Sequence, residues 1–212
     1  MGKASSDTQR QIEKGIAILR QGGLVAFPTD TVYGLGASMT LPQAVARIYA
    51  VKSRPQSMAL PLLVASTSQV SAVAQQVPSV AWRLIEHFWP GALTIVLPRS
   101  EAVPLIVTGG EATVAVRIPA HPIPIALIEG LGTPIIGTSA NLSGHPSPLT
   151  AEEVHSHLGN KVDLIINGGR CSGQESTIVD VTGETPVIRR AGAISREEIE
   201  QVIGRVLSQK EV

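Results

Sequence analysis

TVAVRIP at residues 113–119 and ALTIVLP at residues 92–98 decide the fold. Both stretches are rich in β-branched and aliphatic residues, which predicts two β-strands. LPLLVA at residues 60–65 is apolar on both faces, as expected of a central strand that is covered on both sides. Helical spacing of apolar residues separates these strands, so the sequence predicts an α/β protein.

Strands and helices alternate along the rest of the chain. The sequence predicts further strands at 24–29, 134–140, 163–167, 176–181 and 186–190, and helices at 41–51, 78–88 and 122–130.

The chain ends are predicted to be helical as well. Apolar spacing from Ile12 to Leu19 predicts an opening helix. Thr150 and Ser195 are each followed three residues later by a glutamate, the pattern of a capping box at a helix start. We expect one α/β domain over residues 1–212, with its core at about 12–205, in which helices flank a single twisted mixed β-sheet.

Composition narrows the function classes. The chain has 212 residues, with 17 basic and 17 acidic residues and only 3% aromatics. A neutral chain is unlike a generic nucleic-acid coat, and so few aromatics argue against a base-stacking platform. The opening segment MGKASSDTQRQIEKG has no apolar run, and no stretch is long enough to span a membrane. We therefore expect a cytoplasmic protein.

The neutral sum conceals an uneven charge distribution. Residues 31–85 contain Arg47, Lys52, Arg54 and Arg83 and no carboxylate. This pattern favours a pocket for an anion, although chance would also explain it in a weakly charged chain. Two of these cations lie in the motif KSRP at a predicted helix end. They suit a polyphosphate, or they simply complement the helix dipole.

Other polar motifs follow predicted strands. PTDTVYGLG (28–36) offers hydroxyls and glycines, although a plain turn would explain it as well. Arg117 ends an apolar strand and needs an anionic partner if it is buried. The period of two places Thr113 on the same strand face as Arg117. The remaining strand-end motifs are TSANLSG (138–144) with Ser147 beyond it, Ser176-Thr177 and Arg189-Arg190.

Hydroxyls and cations therefore gather at strand ends, without an obvious covalent nucleophile. Such a site acts by positioning and electrostatics, as phosphoryl and nucleotidyl transfer require. No catalytic residue in the covalent sense is assigned on this basis.

The ordered motifs PTDTVYGLG, KSRP, FWPGALTIVL, VAVRIP, TSANLSG, STIVD and RRAG resemble the YrdC-type domain of the L-threonylcarbamoyladenylate synthases. The resemblance implies synthesis of threonylcarbamoyl-AMP from L-threonine, bicarbonate and ATP, with release of pyrophosphate and with Mg²⁺ shielding the phosphates. A downstream transferase complex would then use the product for the threonylcarbamoyladenosine modification of tRNAs that read ANN codons. The length implies the short, single-domain type.

The same resemblance implies the binding residues. It assigns L-threonine to Thr31, Arg117 and Ser176, and ATP to Lys52, Arg54, Thr113, Ser139, Asn141, Ser147 and Arg190. It names no metal ligand. The chain departs from the family pattern in two places: Met58-Ala59 replaces an Asn-Pro that many members have, and Leu63 replaces a histidine that some members have near threonine.

Two alternatives stay open on the sequence. One is the carbamoyl-adenylate chemistry of hydrogenase-maturation proteins, although those carry zinc-finger cysteines and this chain has a single cysteine. The other is a double-stranded RNA-binding module. The neutral charge balance argues against tight, nonspecific RNA binding but leaves weak binding open.

Overall fold

The computed structural model describes residues 6–211; residues 1–5, at the start of the polar opening segment, and residue 212 lie outside it. Its α-helices are α1 (Ser6–Arg20), α2 (Pro42–Lys52), α3 (Thr67–Val73), α4 (Ser79–Phe88), α5 (Leu105–Thr108), α6 (Pro122–Leu131), α7 (Ala151–Leu158) and α8 (Arg196–Ile203). Its strands are β1 (Val25–Phe27), β2 (Gly34–Gly36), β3 (Leu62–Leu63), β4 (Leu93–Pro98), β5 (Thr113–Arg117), β6 (Ile135–Ile136), β7 (Thr138–Ser139), β8 (Leu164–Ile165), β9 (Thr177–Asp180), β10 (Val187–Arg190) and β11 (Leu207–Ser208).

The strands form two mixed sheets. The larger sheet has the order β11-β10-β9-β4-β5-β3-β6, and the smaller has the order β7-β2-β1-β8. In the larger sheet, β4 is antiparallel to β5 and parallel to β9. The structure confirms the α/β class, with helices flanking mixed sheets. The described strands divide between two such sheets, whereas the sequence pattern indicated one.

The chain crosses between the sheets at Gly137. The sequence predicted one strand over 134–140, but β6 belongs to the larger sheet and β7 to the smaller. A Cβ atom at Gly137 would lie 2.2 Å from Cγ of Leu63, so only glycine fits this crossing. The sequence pattern therefore found the apolar segment but missed the break inside it.

The strand β2 was missed because its glycines were read as part of a loop. Phe27 in β1 pairs with Gly34, and its ring covers the face of β2. A Cβ atom at Gly36 would lie 2.6 Å from Cε1 of Phe27. Glycine in this strand makes room for an aromatic neighbour rather than marking a turn.

Both predicted helix starts are present, and one of the two capping boxes is complete. At α8, Ser195 accepts a hydrogen bond from the backbone of Glu198, and the Glu198 carboxylate accepts one from the backbone of Ser195. At α7, Thr150 caps Glu153 in the same way. The Glu153 carboxylate, however, accepts from the backbone N–H of Leu149, so the second half of that predicted box is wrong.

The apolar residues pack in two clusters. The larger cluster draws side chains from both sheets, for example Leu35 in β2 and Ile95 in β4. The smaller one joins α1 and α6 to strand β1 through side chains such as Leu19, Phe27 and Leu127. Among the described residues, no helix combines the length and the apolar character that crossing a membrane requires.

We predict that Gly192→Ala destabilises the protein by about 1–3 kcal/mol. Gly192 follows β10, and a Cβ atom there would lie 2.4 Å from the carbonyl oxygen of Glu175 and 2.5 Å from the backbone of Ser176. Backbone cannot move aside as a flexible side chain can, so the two segments must separate. Urea unfolding measures the loss.

Gly183→Ala is the matched control. The nearest heavy atom to a Cβ atom there would be 3.9 Å away, so its free energy of unfolding should stay close to that of the wild type. Equal midpoints for the two variants would contradict the close approach at Gly192.

Candidate active site

A cavity of about 310 Å³ lies between the two sheets. The loop before β2 and strand β7 contribute one wall from the smaller sheet. The larger sheet supplies the opposite wall from β3, β4, β5, β9 and β10. The polar and charged residues that line it are Thr29, Thr31, Arg54, Thr94, Arg117, Thr138, Ser139, Glu175, Ser176, Arg189 and Arg190.

Strand register sets a row of side chains across the larger sheet. Leu63 in β3 lies beside Arg117 in β5. Thr94 in β4 lies beside Ile178 in β9, which in turn lies beside Arg190 in β10. Side chains on neighbouring strands at paired positions point to the same face. The sheet thereby brings two arginines and a hydroxyl to one surface of the cavity.

Arg117 is buried and holds the two walls together. Its Nε donates to the carbonyl oxygen of Gly91 at 2.8 Å, its Nη1 to Oγ1 of Thr31 at 2.9 Å and its Nη2 to Oδ1 of Asp30 at 2.6 Å. Burial lowers the pKa of Arg117, and the Asp30 carboxylate opposes that shift. A guanidinium has five N–H donors, so two remain for a ligand.

The hydroxyl of Thr29 is fully hydrogen-bonded. Its Oγ1 donates its single proton to the carbonyl oxygen of Val32 at 2.7 Å and accepts from the backbone N–H groups of Thr31 and Val32 at 3.1 and 3.2 Å. These bonds use its proton and both lone pairs, so it has none left for the Thr31 hydroxyl, which lies 2.9 Å away. Thr31 accepts from Arg117, which leaves it one lone pair for a ligand.

Arg190 anchors the opposite end of the row. Its Nη2 donates to the carbonyl oxygen of Ser176 at 2.9 Å and to Oγ of Ser176 at 3.1 Å. Its Nη1 forms an ion pair with Glu175 at 2.5 Å. The other oxygen of Glu175 accepts a hydrogen bond from Ser147. Glu175 thus joins two residues to which the sequence resemblance assigned ATP.

Arg189 also lines the cavity although it is next to Arg190 in the chain. Regular alternation would place the two on opposite faces, but the register of β10 shifts between Ile188 and Arg190. This irregularity lets consecutive side chains reach one side. Arg189 pairs with Asp180 at 2.8 Å. Burial opposes ionisation of the Asp180 carboxyl, but hydrogen bonds from Thr182, together with Arg189, lower its pKa.

Arg54 is the cavity cation without a carboxylate partner among the described residues. Helix α2 ends at Lys52, and Ser53 takes a left-handed conformation with φ of 50°. After this turn the Arg54 side chain donates to the carbonyl oxygens of Met58, at 3.3 Å, and Ala59, at 2.9 Å. Its charge is neutralised by neither contact, so it remains available for an anion.

Lys52 lies behind the cavity wall. Its Nζ donates to the carbonyl oxygens of Ser139 at 2.5 Å and Asn141 at 2.7 Å, and to Oδ1 of Asn141 at 3.2 Å. These bonds use all three of its donors. Lys52 therefore shapes the 139–141 loop and contributes its charge from behind that loop.

Of the residues that the resemblance assigned to substrates, six line the cavity: Thr31, Arg54, Arg117, Ser139, Ser176 and Arg190. Lys52, Asn141 and Ser147 instead bond to groups in or beside its wall. Thr113 does not line it. Thr113 pairs with Pro98 at the far end of β5, four residues before Arg117. Sharing a strand face with Arg117 is therefore not sufficient to reach the cavity.

The two departures from the family pattern both lie at the cavity. Leu63 lines it, next to Arg117 in the row. Met58 has a largely exposed side chain, but its carbonyl oxygen accepts from Arg54 and from the Tyr49 hydroxyl. Position 58 thus supports Arg54 through its backbone.

Sequence reasoning did not single out Thr94 or Glu175 as site residues. Thr29 and Arg189 lie in the strand-end motifs PTDTVYGLG and Arg189-Arg190, but no ligand was assigned to either. Thr94 carried a signal, because it is the one hydroxyl in the apolar run ALTIVLP. Glu175 follows a glycine-rich loop, and nothing in the local sequence indicated that it belongs to the site. Asp30 lies in the quoted motif PTDTVYGLG, but its pairing with Arg117 spans 87 positions of the chain and is invisible to local patterns.

The carboxylates near the cavity are committed to arginines. Asp30 pairs with Arg117, and Glu175 pairs with Arg190. Among the described residues, no cluster of three or more histidines, cysteines, aspartates or glutamates could hold a metal ion. The side chains described therefore do not fit a resident magnesium ion.

The fold and the cavity define an α/β protein whose cavity between two sheets is lined by hydroxyls and arginines. A family model described as "Telomere recombination", which covers the Sua5, YciO and YrdC proteins, matches residues 17–192. The chain belongs to this family, which confirms the resemblance seen in the motifs.

Individual relatives are also similar. The threonylcarbamoyl-AMP synthase of Pyrococcus abyssi is 47% identical over 197 residues, which are 92% of this chain and 58% of the relative. The threonylcarbamoyl-AMP synthase of Bacillus subtilis is 44% identical over 203 residues, 95% of this chain and 59% of that one. The chain spans a little under three-fifths of the length of these curated relatives.

Solved structures agree with the fold. The structure of P. abyssi Sua5 complexed with L-threonine matches with a TM-score of 0.91 at 47% identity, over 93% of this chain and 58% of that one.

We predict that Lys52 makes the stability of the protein rise with pH above about 8. Burial, aided by the nearby Arg54 charge, lowers the pKa of Lys52 from its ordinary value of 10.5 to about 8. Between these values the unfolded chain still holds the proton that the folded protein has lost, so raising the pH favours the folded state. The slope from this group reaches at most about 1.4 kcal/mol per pH unit.

Urea unfolding of the wild type and of Lys52→Met at several pH values tests this. The difference in the free energy of unfolding should become steadily more favourable to the wild type from about pH 8 to about pH 10.5. A difference that stays constant over this range would show that Lys52 keeps its proton.

Proposed function

We propose that this protein is an ATP-dependent nucleotidyltransferase that makes L-threonylcarbamoyl-AMP from L-threonine, bicarbonate and ATP and releases pyrophosphate. The observation that carries the proposal is the cavity itself, which is lined by the buried Arg117 with the hydroxyls around it and by Arg54, the cation without a carboxylate partner among the described residues. Two curated relatives bear the name threonylcarbamoyl-AMP synthase, and a similar structure is described as complexed with L-threonine.

The threonine end is the part of the cavity around Arg117. Two free N–H donors of Arg117 suit the carboxylate of an amino acid. Thr31 keeps one lone pair, which suits the amino group as a donor. Ser176 lies across the cavity on the β9 side. These groups hold the two ends of the amino acid apart and aim its nitrogen into the cavity.

The ATP end is the part around Arg54 and Arg190. Arg54 lacks a carboxylate partner among the described residues and can pair with a phosphate. The hydroxyl of Ser139 lines the same wall, and Lys52 adds its charge from behind. Three carboxylates offset Arg117, Arg189 and Arg190, so Arg54 and Lys52 supply the surplus positive charge that a polyphosphate needs.

The remaining residues assigned to ATP by resemblance act less directly in this proposal. Asn141 accepts from Lys52 and donates to the carbonyl oxygen of His145, and so shapes the loop. Ser147 holds Glu175, which in turn holds Arg190. Thr113 lies two strand positions beyond Ala115, the last β5 residue to line the cavity on that side.

The reaction needs no covalent enzyme intermediate. The threonine amine condenses with bicarbonate to a carbamate and releases water. A carbamate oxygen then attacks the α-phosphorus of ATP, the bond to the β-phosphate oxygen breaks and pyrophosphate leaves. The protein contributes positioning of the two substrates and positive charge where the phosphates gain negative charge.

Magnesium enters this scheme as part of the substrate MgATP. The described carboxylates at the cavity are paired with arginines, and no residue is assigned as its ligand. The nucleotide phosphates are the hard oxygen ligands that Mg²⁺ prefers.

The product is a labile mixed anhydride, so a second protein must consume it. We propose a threonylcarbamoyl-transferase complex as the downstream partner, with tRNA as the final acceptor, and the cytoplasm as the location. Direct contact of this chain with RNA is not part of the proposal.

Pyrophosphate release by the purified protein with ATP, Mg²⁺, bicarbonate and L-threonine tests the function. We expect release that stops when threonine or bicarbonate is omitted. Release that ignores either omission would refute the proposal. Salt-sensitive RNA binding with no pyrophosphate release would instead support the RNA-binding alternative.

Two substitutions test the division of the cavity. Arg54→Ala should reduce kcat/KM for ATP by about 100-fold, because a charge-assisted contact to phosphate is lost. Arg117→Ala should raise KM for threonine, and it also leaves the buried Asp30 unpaired. Arg83→Ala is the control, since Arg83 is exposed and outside the cavity. Equal kcat and KM values for all three variants would show that the substrates do not bind in this cavity.

A further inference from the structure

Thr94 is a buried hydroxyl on the wall of the cavity. It lies inside the motif FWPGALTIVL, but no ligand has been assigned to it. It is 3% exposed and lies in β4, whose other inward positions are apolar. Because Ile95 pairs with Val116, the next position places Thr94 beside Arg117. Its Oγ1 lies 2.9 Å from Oγ of Ser176. The Thr94 hydroxyl therefore lies between Arg117 and Ser176, two of the residues to which the resemblance assigned L-threonine.

The protons of this hydroxyl pair can be counted. Each hydroxyl has one proton and two lone pairs. Oγ of Ser176 already accepts from Nη2 of Arg190 at 3.1 Å. If Thr94 donates to Ser176, both lone pairs of Ser176 are filled and its own proton is left over. If Ser176 donates to Thr94, the proton of Thr94 is left over instead.

Both arrangements therefore end with one proton directed at the cavity. Within residues 6–211, the Thr94–Ser176 contact is the only hydrogen bond recorded for the Thr94 hydroxyl, and Ser176 adds only the bond that it accepts from Arg190. In the cavity this remaining proton is available for a hydrogen bond to a bound ligand. The pair is thus a hydrogen-bond donor that faces the cavity.

We propose that Thr94 is a substrate-binding residue that, together with Ser176, supplies a single hydrogen-bond donor to the carboxylate of the amino-acid substrate. The carboxylate is the acceptor because Thr94 stands beside Arg117, whose two free N–H donors attract the same group. The proposal rests on the proposed function for the identity of that substrate. The site then has a fixed polarity: amine toward Thr31, carboxylate toward Arg117 and the hydroxyl pair.

The test is a double-mutant cycle on the purified chain. Calorimetry measures Kd for L-threonine, and pyrophosphate release measures KM and kcat, for Thr94→Val, Ser176→Ala and the double variant. Each single variant keeps one hydroxyl, whose proton is then free for the ligand, so Kd should stay within about twofold of the wild type. The double variant removes the last proton of the pair and should weaken threonine binding about tenfold, since a hydrogen bond to a charged group is lost.

Further variants separate binding from structure. Thr94→Ser combined with Ser176→Ala keeps one hydroxyl and should hold Kd within about twofold of the wild type, unlike the double variant with valine. Thr108→Val is the matched control: Thr108 is fully buried in α5, donates to the carbonyl oxygens of Leu105 and Glu111, and lies outside the cavity. It should lower stability and leave KM unchanged. If Thr94→Val fails to fold, Thr94→Ala removes the same hydroxyl with less bulk.

The outcomes are distinguishable from a failure of the proposed function. A wild type that does not bind threonine refutes that function. A wild type that binds threonine, with a double variant that binds it no more weakly than Ser176→Ala does, overturns only the role of Thr94. Additive losses in the single and double variants would also overturn it, since two hydroxyls would then act on the ligand independently.

Discussion

The buried ion pair between Arg117 and Asp30 is the contact on which the site depends. Arg117 ends a strand of the larger sheet, and Asp30 lies in the loop that feeds the smaller sheet. A guanidinium taken out of water must be paired and hydrogen-bonded, or the fold loses several kcal/mol. Asp30, Thr31 and the Gly91 carbonyl meet that requirement together, so they fix the separation of the two walls. The cavity exists at this size because the charge is satisfied across it.

Part of this arrangement could be predicted from the sequence, and the reason differs from residue to residue. The apolar runs that form β4 and β5 are local patterns, so both strands were found. Alternation along the strand also predicts that Thr113 and Arg117 share a face of the sheet. It does not predict how far Thr113 lies from the cavity, because that distance depends on which residues pair with β5. Arg189 reaches the cavity because the register of β10 shifts, and no residue type in this strand predicts that shift.

The roles of Lys52 and Glu175 show the same limit. A cation after α2 was visible in KSRP, but its three bonds to the 139–141 loop join segments far apart in the chain. Glu175 matters because it lies between Ser147 and Arg190, and that position is set by the sheet and not by its neighbours in sequence. Local pattern identifies which chemical groups are present, whereas long-range pairing decides which of them face a ligand.

The uneven charge distribution along the chain acquires a structural meaning from these pairings. The carboxylates that offset Arg117, Arg189 and Arg190 come from positions 30, 180 and 175, all outside the acid-free segment 31–85. Lys52 and Arg54 come from inside that segment, so the neighbouring sequence supplies no carboxylate that could pair with them. An excess of two positive charges therefore remains at one end of the cavity. At the other end the charges are balanced, and the ligand is recognised by which hydroxyl groups donate hydrogen bonds to it. A site divided in this way distinguishes a polyphosphate from an amino acid by charge at one end and by hydrogen-bond polarity at the other.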